Sequence, residues 1–377
     1  MLRVLCTGSL PPWRVTIIDW MEVKISRTAL LALPISCALV LAGCGSSDSE
    51  TAAEPAETTA ETTAEATVAE ETPAGECPTD VLDVVVSVNQ WGDIVNQLGG
   101  ACANVITIVT DPNIDPHDYQ PKPADIDTFG AAEMVVINGA GYDDWAAKAA
   151  AEHAPNAPVV NAGQTVGVQV GSNPHLWYSP IYVTDTADAV TVQMTAARPG
   201  AADFFSEQRA NFQSDMQPYL DAINALRSKA EGMSFAATET IFNYMASAVG
   251  LQDMTPPAYE IASINEQPQK SGTLKEFRGL LNKNKVSVLI FNTQTSDPVA
   301  EEFVGIATKR NIPVVNVTET VPPTYQSFVA WQMAQLMTLS EALDKVVPHD
   351  DHDDHDDHDD HDDHDDHDDH DDHDDHD

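Results

Sequence analysis

Basic residues are scarce in this chain: Lys and Arg number 18 against 60 Asp and Glu, for a formal net charge of −42. The imbalance is uneven. Residues 77–348 hold 30 acids and 14 bases, whereas residues 45–76 add nine acids and residues 350–377 add 19, with no base among them. The sequence shows no run of bases to displace counterions, and an overall acidic balance disfavours nucleic acid as a partner. Cations, in contrast, are drawn by a weak, salt-screened field. Cysteine is equally scarce. Of five in all, Cys6, Cys37 and Cys44 lie in the first 44 residues, so no four-thiolate metal site is available beyond them. Catalytic signatures are missing too: there is no His-Glu-x-x-His, no Gly-x-Ser-x-Gly and no phosphate-cradling glycine loop. A metallohydrolase, which needs an open coordination position beside a general base, is therefore disfavoured, and no enzyme activity is expected.

Near the start, the apolar run Thr28–Leu41 is too short to span a bilayer. Lys24 and Arg27 precede it and Leu41-Ala42-Gly43-Cys44 closes it, so residues 1–43 read as an export signal, with Met21 an equally serviceable start. The closing tetrapeptide resembles a bacterial lipobox. That resemblance implies lipidation of Cys44 and a lipid anchor on the outer face of the bacterial cytoplasmic membrane. Residues 44–76, rich in Thr, Ala and Glu, cannot build a core and read as a tether. Cys77 and Cys102 are then the remaining pair in an exported chain. They predict a disulfide from the start of the first strand region to the loop after the first helix; two free thiols acting as ligands are the alternative.

At the other end lie residues 348–377, in which Asp-Asp-His repeats from Asp350 to Asp377. They carry His349, His352, His355, His358, His361, His364, His367, His370, His373 and His376 among 19 Asp. From Asp350 onward no apolar group is present, so the composition predicts disorder. Ten imidazoles beside carboxylates form a multidentate, weak sink for borderline cations such as Zn²⁺. A merely solubilising acidic tail has no need of His at every third position.

Between these ends strands and helices alternate. Val81–Val88, Val105–Val109, Met134–Asn138 and Ala157–Val160 read as strands. Trp91–Gly99, Ala124–Ala132, Tyr142–Glu152 and Ile181–Thr195 read as helices. After Pro199-Gly200 a long amphipathic stretch, Ala201 to about Lys229, predicts a helix that Pro218 should kink or split. The alternation then restarts: strands Met233–Ala237, Val286–Phe291 and Val314–Val317, and helices Ile241–Val249, Thr273–Asn282, Pro298–Arg310 and Thr324–Leu343. The expected fold is α/β. Two lobes, 77–200 and 231–347, each hold a mostly parallel sheet with flanking helices, and one long helix at 201–230 joins them across a cleft.

Outside the tail there are three His. His117 lies in Asp115-Pro116-His117-Asp118-Tyr119 and His175 in Asn173-Pro174-His175-Leu176-Trp177. In each, the Pro stiffens the approach to the imidazole, which lowers the entropy cost of binding a metal. Loops beyond the carboxyl ends of strands are where open α/β sheets bind ligands. His153, in a plain helical context, is assigned a structural role.

These Pro-His segments, with Tyr325, Trp331 and Leu343 along the closing helix, resemble the bacterial substrate-binding lipoproteins that deliver zinc or manganese to ABC importers (the cluster A-I metal-binding proteins). The resemblance covers about residues 80–346. It implies two lobes joined by a long helix, with one metal held between them by four side chains from four loops. His117 and His175 match the first two ligands. Glu239, in Thr238-Glu239-Thr240, matches the third, which is His in typical zinc members and Glu in typical manganese members. Glu319, in Val317-Thr318-Glu319-Thr320, matches the fourth, where Asp is commoner. Asp118, Tyr119, Asn265, Glu266, Asn292 and Gln294 are candidates to hydrogen-bond the ligands. The implied partners are a permease with its cytoplasmic ATPase, and a monomer is expected. A metal-buffering or adhesive surface lipoprotein of the same fold is the alternative. Two His and two carboxylates suit Mn²⁺ while binding Zn²⁺ well. The tail and the general affinity order tip the expectation toward zinc, with iron third.

Overall fold

The computed structural model describes residues 75–346 apart from Asp115, Asp118 and Ser296. The export segment, Cys44, nearly all of the tether, Asp118 and the Asp/His tail lie outside the described residues.

The first sheet contains β1 (Leu82–Val88), β2 (Ala103–Val109), β3 (Met134–Ile137) and β4 (Val159–Asn161) in the order β2-β1-β3-β4. The second contains β5 (Ser234–Ala237), β6 (Gln252–Asp253), β7 (Val288–Asn292) and β8 (Val314–Val317) in the order β6-β5-β7-β8. Every pairing is parallel, with Val84 opposite both Val105 and Met134. The helices are α1 (Asn89–Gly99), α2 (Pro123–Phe129), α3 (Asp144–His153), α4 (Ala162–Val166) and α5 (Pro180–Ala197), then α6 (Ala202–Ala230), α7 (Asn243–Val249), α8 (Pro257–Ile264), α9 (Ser271–Asn282), α10 (Pro298–Lys309) and α11 (Phe328–Leu343). None is long and apolar enough to cross a membrane among the described residues.

Strand alternation builds three apolar clusters. Val84, Val86, Met134 and Val136 point to a central cluster that Phe235, Val288, Ile290 and Val315 of the second sheet also join. The opposite faces are covered separately: Val85 and Val135 pack with Phe129 and Ala146, and Leu289 packs with Phe277 and Phe303. Helices therefore cover both faces of each sheet. Cys77 and Cys102 are joined, Cα to Cα 4.9 Å, tying the approach to β1 to a 3-10 turn after α1, as the sequence predicts.

Three local expectations are corrected. Helix α6 runs unbroken for 29 residues with Pro218 inside it, neither split nor ended. Pro218 and Ser214, four residues back, both lie on the exposed face of the helix, where a carbonyl freed by the missing N–H costs least. Phe212, Met216, Tyr219 and Ile223 hold the buried face. The closing helix begins at Phe328 rather than Thr324, where the Ser327 side chain accepts from Ala330 N. Finally, β6, α4 and α8 carry no counterpart in the sequence reading.

Candidate metal centre

Both sheets share one switch point, at which successive connections leave the central strand in opposite directions and open a crevice at the carboxyl ends. The candidate residues sit there. His117 follows β2, Glu239 follows β5, Asn292 ends β7 and Glu319 follows β8. His175 lies between α4 and a 3-10 turn at Leu176–Tyr178.

Three of the four proposed ligands converge. One ligand atom each from His117, His175 and Glu319 lies within 4.8 Å of the others, the spacing of groups that could hold one metal ion. Glu319 Oε1 is 3.9 Å from His117 Nε2 and 3.7 Å from His175 Nε2. Glu239 is not in that trio but lines the same cavity of about 60 Å³, with Glu266 and Thr295. It is linked to the trio through Asn292, whose Nδ2 donates to Glu239 Oε2 at 2.5 Å and approaches Glu319 Oε2 at 3.4 Å. The space suits an ion with little water.

Neighbours orient each group. His175 Nδ1 lies 2.7 Å from Asn173 Oδ1, and Asn173 Nδ2 donates to the Thr240 carbonyl at 2.7 Å. The second contact fixes which end of the amide faces the ring. Nδ1 therefore carries the proton, and the Nε2 lone pair points into the cavity. His117 follows the same pattern, its Nδ1 lying 3.2 Å from Glu266 Oε1 on the loop after α8. Second partners of this kind set tautomer and ligand strength.

Glu319 is buried, its side chain 4% exposed. Burial pushes its carboxyl up, but in the metal-free site, with the rings protonated, a hydrogen bond from His175, the charges of His175 and His117 and the Tyr142 hydroxyl outweigh this and hold it below the usual range. Tyr142 Oη donates to Glu319 Oε1 at 2.8 Å, and Gln90 Nε2 donates to both Tyr142 Oη and the Glu319 carbonyl. Gln294 Oε1 accepts from the backbone N–H of Glu319 and Thr320 at 2.7 and 2.8 Å. Asn292 and Gln294 thus hydrogen-bond the carboxylate-bearing segments, Asn292 at both Glu239 and Glu319 and Gln294 at the Glu319 backbone. Tyr119 does not: its hydroxyl donates to Asp125 at 2.5 Å, at the start of α2, and its ring meets Trp145. His153 is exposed at the end of α3. Tyr142 and Gln90 were missed. A Tyr ahead of a helix carries no local mark of a partner 177 residues away.

The fold and cavity define a two-lobed binding protein whose site lies between parallel sheets. The family described as zinc-uptake complex component A, periplasmic, matches residues 84–342, and the chain belongs to it. It is a binding protein and not an enzyme, in keeping with the transport proteins it matches. The high-affinity zinc uptake system protein ZnuA of Bacillus subtilis is 21% identical over 286 residues, covering 71% of this chain and 81% of its own. The manganese ABC transporter substrate-binding lipoprotein PsaA of Streptococcus pneumoniae is 25% identical over 296 residues, covering 71% and 90%. Among solved structures, the binding protein FpvC of P. aeruginosa with Ni²⁺ superposes with a TM-score of 0.60 at 18% identity, covering 71% of this chain and 99% of that one. This last likeness concerns the fold.

Proposed function

We propose that the chain captures one divalent transition-metal ion between its lobes, outside the cytoplasmic membrane, and delivers it to an ABC importer. The observation that carries this reading is the convergence of His117, His175 and Glu319, with both imidazoles presenting Nε2 to one buried carboxylate. Glu239 serves as the fourth ligand. Two neutral imidazoles and two carboxylates then balance a divalent charge. Zinc is the favoured cargo, because imidazole suits it and the Asp/His tail supplies more of the same ligand. The two carboxylates favour manganese as the second reading, and relatives are named for each of these metals. Lipid at Cys44 anchors the chain, the lobes at 77–200 and 231–347 act as a monomer, and the tail holds further ions weakly.

The test is calorimetric titration of the exported chain, stripped of metal, with Zn²⁺ and Mn²⁺. One tight site and a group of weak ones are expected. His117→Ala should abolish the tight phase and leave the weak phase, whereas His153→Ala should leave both. A tight phase that survives His117→Ala would overturn the site, and tighter binding of Mn²⁺ than Zn²⁺ would overturn the choice of metal.

A further inference from the structure

The 14 bases of residues 77–348 are not dispersed. Lys283, Lys285, Lys309, Arg310 and Lys345 are all exposed, and they gather at the amino-terminal edge of the second sheet, where β7 and β8 begin. Asn284, Val286, Arg310, Pro313 and Val346 line one shallow cavity of about 230 Å³ there. Lys283 and Lys285 flank Asn284, Lys309 precedes Arg310, and Lys345 precedes Val346. The Arg310 guanidinium donates to the Asn282 carbonyl, tying the two loops together. Of the acids on adjoining chain, Asp344 is paired with Lys229 at 2.7 Å, and Glu231 and Glu341 remain as the local counter-charge. Residues 77–200, by contrast, hold 14 acids and three bases.

The described chain ends on this rim, at Val346, and the most acidic segment of the protein follows it. Asp350 comes four residues later, within about 14 Å along an extended chain. The carboxyl ends that carry Glu239 and Glu319 lie at the opposite edge of the same sheet.

We propose that this basic rim docks the chain's own Asp/His segment, residues 350–377, when that segment is free of metal, and that divalent cations bound to the segment release it. Nineteen Asp beside five clustered bases give an attraction that tethering keeps local. Cations bound among the Asp and His groups neutralise the charge that holds the segment on the rim. The docking arm stands on charge and chain position alone; the release arm rests on the reading of the tail as a weak metal sink.

Zero-length carbodiimide coupling, which joins Asp carboxylates to Lys amines in contact, tests this on the whole exported chain with mass spectrometric readout. In chelator at about 0.15 M salt, couplings from Asp350–Asp377 to Lys283, Lys285, Lys309 and Lys345 should outnumber those to Lys122 and Lys148 severalfold. Saturating Zn²⁺ should reduce the rim couplings severalfold. Lys309→Glu with Arg310→Glu should reduce those at Lys283, Lys285 and Lys345, with retained tight metal binding showing that the variant is folded. Couplings spread evenly over all lysines, or none, overturn the docking, and rim couplings indifferent to Zn²⁺ overturn the release. The His117→Ala chain should still release its segment. Loss of release there would assign the effect to the cleft, so failure of this proposal and failure of the cleft reading are told apart.

Discussion

The first lobe contributes imidazoles, His117 after β2 and His175 after α4; the second contributes carboxylates, Glu239 after β5 and Glu319 after β8. The sheets share one strand order, but the ligand loops are not equivalent: His117 follows the edge strand β2, whereas Glu239 follows β5, the counterpart of β1. The lobes also orient one another's ligands. Tyr142 of the first lobe donates to Glu319, Glu266 of the second faces His117, and Asn173 bridges His175 to the Thr240 carbonyl. Drawing the lobes apart would remove these partners together, so closure and metal affinity are coupled through ligand orientation as well as ligand distance.

The largest effect should come from emptying one side of this arrangement. His175→Ala in the first lobe and Glu319→Ala in the second should each weaken the tight site more than about 100-fold, beyond the usual loss for an outer partner, in metal titration. A much smaller loss for Glu319→Ala would mean that the imidazoles alone define the site. Next, only the first lobe carries a disulfide. Reduction of Cys77–Cys102, which closes a loop with sequence separation 25, should cost about 3 kcal/mol in the chain-entropy model. Denaturant unfolding with and without reductant checks this. The smaller effect on affinity concerns the bridge between carboxylates: Asn292→Ala should weaken metal binding about 10-fold while leaving the fold intact.

The smallest expected effect separates two carboxyls of the second lobe by pH. Burial, with Asp253 beside it, raises Glu260 to about 7. Its contribution to stability is therefore complete below the ordinary carboxyl range and is lost as pH rises through about 7. Glu319, held low, acts in the opposite sense: its contribution is present above the ordinary carboxyl range and is lost as pH falls through its lowered value. Melting curves of metal-free Glu260→Gln should gain on the parent between pH 5 and 8. A constant offset over that range would deny the shift. Metal affinity should fall with falling pH in the same metal titrations, because an imidazole must be neutral to bind the ion.

Much of this was legible in sequence because the strands are short, Val-rich and punctuated; the fourth strand of the second sheet, Val314–Val317, matches to the residue. The two-residue β6 is too short for periodicity to register, and α8 opens at Pro257 in a Pro256-Pro257 pair, which reads as a turn. Pro218 misled because its cost depends on whether the freed carbonyl is wet, a tertiary fact. Likewise, Pro-His spacing pointed to both imidazoles, whereas the Tyr142 and Gln90 contacts to Glu319 join elements from opposite lobes and leave no trace in local pattern.

The Cys77–Cys102 bond also bears on mechanics. A pull on the chain ahead of Cys77 does not act on β1 alone. The bond divides it between β1 and the turn that opens β2. β1 is an interior strand, paired with β2 on one side and β3 on the other. Load entering there is shared as shear across two ladders, rather than peeling one hydrogen bond at a time from an edge. Tugging from its amino-terminal side therefore meets the strongest part of the first lobe, and the force is spent far from the loops that hold His117 and His175.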